Sequence, residues 1–269
     1  MYQGPTSESQ RGPFPQLFEG RIAQGYSCIL AISPIEIGSN GTRFHPPNEF
    51  ETPESLFTPG IPSTASIPSP RWLRRTDNCE GLVYADGACL GNGTDQARAG
   101  YAFVFGPPNP RQSPLQSGSR ARNHTETSRP TTTKLRLELH GPQGTPELQT
   151  SNRAELRAVI AVMQFRAWWG EGIQRLVIAT DSSYVVDCAT QSIHAWQTNG
   201  WRTAKGPPVK NRDLWELYLA ELQRCSNSGL HVLFWKIPRE WNSTADAAAR
   251  EAATLPDTEE YSKVLGVCC

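Results

Sequence analysis

The sequence predicts an α/β domain in which helices pack on a mixed sheet of five strands. Short apolar runs that are typical of strands alternate with longer segments in which apolar residues recur at helical spacing. One run, at 176–179, is uninterrupted, as expected for a strand that is covered on both faces. The resulting order, β-β-β-α-β-α-α-β-α, is typical of a mixed sheet with helices packed on it.

The first three elements are expected to be strands. The apolar run 82–85 is followed by Asp86-Gly87, a turn signal, so we expect the first strand to end there. The run 100–105 predicts the second strand. Residues 135–139 alternate between apolar and polar side chains, which predicts a third strand at the edge of the sheet.

A long helix and a buried strand follow. Residues 152–169 carry apolar side chains at helical spacing, and Ser151 before them can cap the helix. The buried strand 176–179 comes next, and a helix that begins at Ser182 or Ser183 follows it.

The last third of the domain predicts a helix, a strand and a helix. We expect a helix at 213–223, a strand at 231–235 and an alanine-rich helix at 244–253. The predicted domain therefore extends from residue 81 to about residue 255.

Three segments lie outside this pattern. Residues 1–80 are rich in Pro, Ser, Thr and Gly, so we expect a disordered or poorly structured extension. Residues 107–133 contain several prolines and predict a surface insertion between two strands. Residues 256–269 are expected to be a tail.

Composition excludes several classes of protein. The chain has 26 basic and 26 acidic side chains, so a wholly basic nucleic-acid coat is excluded, although a local basic face is not. No apolar run approaches the length of about 20 residues that a membrane-spanning helix needs. The seven cysteines form no Cys-x-x-Cys pair, which favours reduced thiols in an intracellular protein. We expect a monomer in the nucleus or cytoplasm.

Four carboxylates lie at the ends of predicted elements. Two follow predicted strands and two lie in the first turns of predicted helices; they are Asp86, Asp181, Glu155 and Asp246. Each alone is explained by a turn, a cap or a helix dipole. Together they favour one crevice that holds a hard cation such as Mg²⁺ or Mn²⁺, and a pair of such ions can cleave a phosphodiester.

Residues 194–215, the basic segment, combine positive charge with tryptophan. Its candidate contacts with a nucleic acid are Trp196, Trp201, Arg202, Lys205 and Lys210. Basic side chains bind phosphates and tryptophan stacks on sugars or bases. The alternative is a solvated loop whose tryptophans point inward.

The chain resembles the type 1 ribonuclease H family across residues 81–255. Four blocks carry the resemblance in the order of the family, at 82–88, 150–156, 178–185 and 242–249. Part of the basic segment, 199–203 with 208–212, matches the family's region between the fourth strand and a later helix.

The resemblance implies a ribonuclease H-like fold that cleaves the RNA strand of an RNA/DNA hybrid. It implies that the four carboxylates bind two Mg²⁺ ions. It also implies that Asn92 and Asn152 contact ribose 2′-hydroxyl groups, and that Thr150 and Asn211 lie at the pocket for a DNA-strand phosphate. The family usually has a histidine in the loop before the last carboxylate. Residues 237–242 contain none, and Arg239 is the candidate substitute.

Two other functions remain open. One is a catalytically weak or inactive nucleic-acid-binding module of the same fold, which a missing carboxylate would favour; none is missing. The other is a DNA-acting nuclease of the same fold, which would need no contact to a 2′-hydroxyl group from Asn92 or Asn152.

Overall fold

The computed structural model describes residues 41–66, 68–108 and 130–266, which lie in one unit. Most of the expected insertion lies outside these residues. The described strands form one eight-stranded sheet. They are β1 (Thr42–Arg43), β2 (Phe57–Gly60), β3 (Arg71–Arg74), β4 (Asp77–Leu90), β5 (Arg98–Gly106), β6 (Thr131–Arg136), β7 (Arg175–Thr180) and β8 (His231–Lys236).

The helices of the described residues lie largely where the sequence predicts them. They are α1 (Pro53–Leu56), α2 (Ser151–Phe165), α3 (Ser183–Asp187), α4 (Ile193–Thr198), α5 (Arg212–Asn227) and α6 (Ser243–Ala252). A π turn at Cys188–Ser192 joins α3 to α4, and 3-10 turns occupy Trp168–Glu171 and Arg239–Asn242. Thr150, rather than Ser151, caps α2 by accepting a hydrogen bond from the Arg153 amide at 3.3 Å. None of the helices in this part of the chain has the length and apolarity to cross a membrane.

Strand β4 does not end at Asp86 as predicted. It runs parallel to β7 as far as the pair Tyr84–Ala179, and it continues antiparallel to β5 as far as Leu90. Gly87 is therefore a strand residue, and a Cβ at this position would lie 2.1 Å from the Glu155 amide nitrogen. Glycine is present because α2 packs directly on the strand, which brings Glu155 next to Asp86.

The third predicted strand is displaced towards the N-terminus. We predicted 135–139, whereas β6 pairs with β5 over Thr131–Arg136. The Leu137 amide still donates to the Ala99 carbonyl of β5 at 2.9 Å, and the chain then changes partner, since the Leu139 amide donates to the Thr258 carbonyl at 2.8 Å.

The prediction of a poorly structured extension is wrong for residues 41–80 in the described ranges. Strands β2 and β3 extend the sheet beyond β4, and β1 pairs with β8 at the other edge. Phe44, Leu56 and Phe57 cover one face of the sheet and pack in a cluster with Val177 and Trp235. The sequence concealed this because the apolar residues are sparse and the strands have only two to four residues.

Residues 256–266 are not a free tail. The Arg157 guanidinium, which is buried beside Glu138, donates to the Ser262 carbonyl at 2.8 Å. The Gly266 amide donates to the Phe165 carbonyl at 2.7 Å, and Val264 is buried. The segment therefore closes over the end of α2. Residues 267–269, including Cys268 and Cys269, lie outside the described residues.

Candidate active site

The four candidate carboxylates line one cleft of about 140 Å³, which we call the carboxylate cleft. It lies just past the last residue pair of β4 with β7, where the two strands separate. Asp86 comes from β4, Asp181 follows β7, and Glu155 and Asp246 come from α2 and α6. Ser151, Cys89, Arg239 and Arg250 also line it.

Asp86 is the most buried of the four carboxylates, with 5% of its surface exposed. Its pKa is raised from 3.8 to about 8, first by burial and then by the charges of Asp181, Asp246 and Glu155, while a backbone hydrogen bond from Gly87 opposes the rise. Four like-charged groups in one poorly solvated cleft account for this shift. A divalent cation in the cleft would relieve the repulsion.

Glu155 lies in the second turn of α2, because the helix begins at Ser151. The explanation by a helix dipole, which weakens beyond the first turn, therefore does not account for this residue. Its carboxylate accepts a hydrogen bond from the Ser182 hydroxyl group. Burial raises the pKa of Glu155, and Ser182, Arg239 and Lys236 oppose the rise.

Asp181 is held by a side chain that sequence analysis did not single out. The amide nitrogen of Asn242 donates to Asp181 Oδ1 at 2.8 Å and to the Ala85 carbonyl at 3.2 Å. Asn242 is 1% exposed. Asn242 is the first residue of the family-like block 242–249, which was the only sign of its importance in the sequence. That block does not reveal what the side-chain amide contacts.

Asp246 lies in the first turn of α6, where two arginines hold its carboxylate. Arg239 donates to Oδ1 at 2.7 Å and Arg250 to Oδ2 at 2.8 Å. Burial raises the pKa of Asp246, but the two arginines outweigh burial and the net shift is downward. The side chains of Arg239 and Arg250 are 65% and 55% exposed, so both can move away into solvent.

The donor set fits a hard divalent cation. All four groups are carboxylates, and oxygen ligands are the ones that Mg²⁺ and Mn²⁺ prefer. Among the described residues, no three acidic, histidine or cysteine side chains are already arranged around one point. Asp246 explains part of this, because its oxygens face arginines and must exchange them for a cation.

The residues proposed for hybrid recognition lie near the N-terminal end of α2 or at the start of α5. Asn92 Oδ1 accepts a hydrogen bond from the Ser151 amide at 3.3 Å, and Asn152 is exposed in the first turn of α2. Thr150 is engaged as the helix cap. Asn211, the residue before α5, has a positive φ of 56°, and its side chain donates to the Tyr184 hydroxyl group at 3.2 Å.

Within the basic segment, residues 201–209 form a short hairpin that is closed by a bridge between Arg202 and Pro208. The Val209 amide donates to the Trp201 carbonyl at 2.9 Å, and Arg202, Lys205 and Lys210 are all exposed. The exposed side chains can meet phosphates, although the Arg202 guanidinium also donates to the Gly206 carbonyl at 3.0 Å. The hairpin follows α4 and leads into α5.

The two tryptophans of the segment differ in exposure. Trp196 is 9% exposed and packs edge-on against Trp215 with ring centroids 5.7 Å apart, so the prediction that it stacks on nucleic acid is wrong. Trp201 is half-buried, and the Arg212 guanidinium lies 5.4 Å from its ring centroid. The inward-facing alternative thus applies to Trp196.

Comparison with known proteins identifies one family. The sequence model of the RNase H family matches residues 79–254. A ribonuclease H of Treponema pallidum is 38% identical over 134 residues, which are 50% of this chain and 68% of that protein. A ribonuclease H of Klebsiella pneumoniae is 30% identical over 187 residues, covering 66% of this chain and 92% of that protein.

A longer relative matches over part of its length. Ribonuclease H1 of the mouse is 33% identical over 177 residues, which are 64% of this chain. The match covers 50% of the mouse protein, so the chain spans about half the length of that relative.

Proposed function

The chain belongs to the ribonuclease H family, and from this premise we propose that it hydrolyses the RNA strand of RNA/DNA hybrids with bound divalent metal ions. The observation that carries the proposal is the convergence of Asp86, Glu155, Asp181 and Asp246 on one cleft. The raised pKa of Asp86, about 8, supports it because the cleft concentrates negative charge that a cation would compensate.

The four carboxylates would hold two Mg²⁺ ions, with Mn²⁺ as an alternative. Metals held there would supply the activation of a water molecule and the stabilisation of the leaving oxygen of the phosphodiester. The Ser182 hydroxyl group would orient Glu155. Asp246 joins the site when its contacts with Arg239 and Arg250 are exchanged.

Recognition of the hybrid falls to residues on either side of the cleft. Asn92 and Asn152 would contact 2′-hydroxyl groups, the feature that separates RNA from DNA. Thr150 and Asn211 would meet a phosphate of the DNA strand. In the basic segment, Trp201, Arg202, Lys205 and Lys210 would contact the backbone of the hybrid, and they supply affinity rather than sequence preference.

Arg239 takes the place of the missing loop histidine in this proposal. A guanidinium group stays protonated, so it acts by its charge and by donated hydrogen bonds and not as a proton shuttle. Its exposed position at the mouth of the cleft suits contact with a phosphate or with the departing product.

One observation favours a catalytically weak binding module as the second candidate. Both oxygens of Asp246 are engaged by arginines, so one of the four ligands is not ready to bind metal. The enzyme should cleave many hybrid molecules per protein molecule, whereas the binding module should bind the hybrid without turnover.

The test is cleavage of labelled substrates in parallel. The full chain is incubated with an RNA/DNA hybrid, an RNA duplex and a DNA duplex, each with Mg²⁺ and with excess chelator. Of the three substrates, we expect only the hybrid to be cleaved, on its RNA strand, and only when Mg²⁺ is present. The Asp181→Asn variant should lose this cleavage. Binding without turnover would establish the second candidate, and cleavage of the DNA duplex would establish a DNA-acting nuclease.

A further inference from the structure

We infer that Asn242 is a positioning residue that fixes Asp181 relative to Asp86 and thereby sets the metal affinity of the carboxylate cleft. The inference rests on the proposed function for its consequence in catalysis. The contacts that carry it are those of one buried amide.

Asn242 occupies a helix-capping position without capping the helix. It is the N-cap residue of α6, a position at which an asparagine oxygen normally accepts a hydrogen bond from a backbone amide two or three residues later. Its side chain makes no such bond. The amide turns away from the helix, towards the two strands that carry Asp86 and Asp181.

The amide group makes only part of the hydrogen bonds that its chemistry allows. Its nitrogen donates to Asp181 Oδ1 and the Ala85 carbonyl, whereas Asn242 Oδ1 is buried without a hydrogen-bond partner. A buried acceptor without a partner destabilises the folded state. The Asn242 side chain therefore makes two donated hydrogen bonds to the strands instead of one accepted bond that would cap α6.

The two acceptors explain what this arrangement achieves. Ala85 immediately precedes Asp86 in β4, Asp181 follows β7, and Asn242 itself begins the helix that carries Asp246. One side chain thus links the three elements that hold three of the four carboxylates. These strands are no longer paired with each other at this point, because the ladder between β4 and β7 ends at Tyr84.

The charge of the linking group also matters. A neutral amide holds the Asp181 carboxylate without neutralising it, in contrast to the arginines that hold Asp246. The contact therefore places no opposing charge beside Asp181. Side chains that orient metal ligands in this way typically change metal affinity or activity by about 10- to 100-fold when they are removed.

The experiment compares Asn242→Ala with Gln164→Ala in the full chain. Gln164 is a matched control, since it is a buried amide whose nitrogen also donates twice, to Glu221 at 3.0 Å and to the Tyr261 hydroxyl group at 2.8 Å. Metal affinity is measured by Mn²⁺ titration with calorimetry and electron paramagnetic resonance, and stability by thermal unfolding. Hybrid cleavage gives kcat and KM.

We expect Asn242→Ala to weaken Mn²⁺ binding and to lower kcat by about 10-fold or more, with KM little changed. Gln164→Ala should lower the melting temperature without either effect. Asn242→Asp, which keeps the shape but replaces the donor by an acceptor, should also lower kcat. This isosteric variant carries the kinetic test if the alanine variant does not fold.

A double-mutant cycle identifies the route of the effect. In an Asp181→Asn background, Asn242→Ala should change Mn²⁺ affinity far less than in the wild type, because the partner it positions is gone. Equal effects in the two backgrounds, or wild-type Mn²⁺ affinity in Asn242→Ala, would overturn the inference. If the wild type binds Mn²⁺ but cleaves no hybrid, the proposed function fails while the metal titration still tests Asn242.

Discussion

Asp86 shows how the site trades stability for function at the scale of one residue. Its carboxylate is buried among three others, and its pKa is raised to about 8. Since an unfolded chain would ionise this group near 3.8, the folded state is progressively destabilised as the pH rises between these two values. Below that range the group is protonated in both states, and the destabilisation disappears.

Asp86→Asn should therefore raise the stability of the metal-free chain while nearly abolishing cleavage. The gain in melting temperature is expected to be small near pH 4 and to grow up to about pH 8, because the asparagine does not ionise. Thermal unfolding in chelator across this range measures it. Asp95→Asn, at an exposed position, is the control. A pH-independent difference, or undiminished cleavage, would contradict the assignment.

The arginines on Asp246 lead to a second prediction at this scale. Arg250→Ala frees one carboxylate oxygen, so Mg²⁺ affinity measured by calorimetry should rise several-fold. Stability should change little, because exposed ion pairs contribute about 0–1 kcal/mol. Arg212→Ala, which removes another exposed i,i+4 pair at the same 2.8 Å from Glu216, should leave Mg²⁺ affinity unchanged. Lower Mg²⁺ affinity in Arg250→Ala would mean that the arginine supports the site.

Sequence reasoning found the acids of this cleft but not their partners. Asp181 and Asp246 could be found because element ends are visible in hydrophobic patterns. The contacts of Asn242, Ser182 and Arg250 depend on which way each side chain turns. Periodicity carries no information on that choice, so these contacts required the structure.

At the scale of elements, helices and buried strands were predictable, and changes of strand partner were not. The run 176–179 became β7 because an apolar run has few alternatives to burial. Asp86-Gly87, in contrast, has the composition of a turn but lies in a strand, because it pairs with Tyr101 and Ala102 of β5. Position 87 is a glycine because α2 occupies the space that a side chain would need. The local composition favoured a turn at this dipeptide, but the tertiary contacts of the sheet keep it in a strand.

The basic segment supports a prediction about an element as a whole. Replacing Arg202, Lys205 and Lys210 together by glutamine should weaken hybrid binding and reduce the dependence of affinity on salt. Each lost phosphate contact should lower the slope of log affinity against log salt by about 0.7–0.9. Binding at several salt concentrations measures this slope.

At saturating hybrid, this triple variant should recover most of its rate, since the three side chains do not line the carboxylate cleft. Lys263→Gln, whose lysine pairs with Glu221, is a control for loss of charge elsewhere. Wild-type affinity and salt slope in the triple variant would show that the segment is only a solvated hairpin.

At the scale of the whole molecule, the boundaries of the domain were the least predictable feature. Sequence analysis began the domain at residue 81 and ended it at 255, whereas the described structure includes residues 41–80 and 256–266 in the packed unit. Both segments are poor in apolar residues. Each is held by a few contacts with distant parts of the chain, such as Arg157 with Ser262, which no local pattern encodes.

Two truncations test where the domain begins. Residues 1–40 are rich in Pro, Ser and Gly and show little apolar patterning, so we expect their deletion to leave melting temperature and hybrid cleavage close to those of the full chain. Deleting residues 1–75 removes Phe44, Leu56 and Phe57, which cover Val177 and Trp235. Burial of each such side chain contributes about 1.5–3 kcal/mol, and the sum approaches the ~5–15 kcal/mol by which domains are stable. We therefore expect the longer deletion to aggregate or to melt far below the shorter one.

Phe57→Asp in the full chain should produce part of the same loss of stability. This variant separates the effect of uncovering the sheet from the effect of shortening the chain. If the longer deletion melts at the temperature of the full chain, residues 41–75 do not belong to the folding unit.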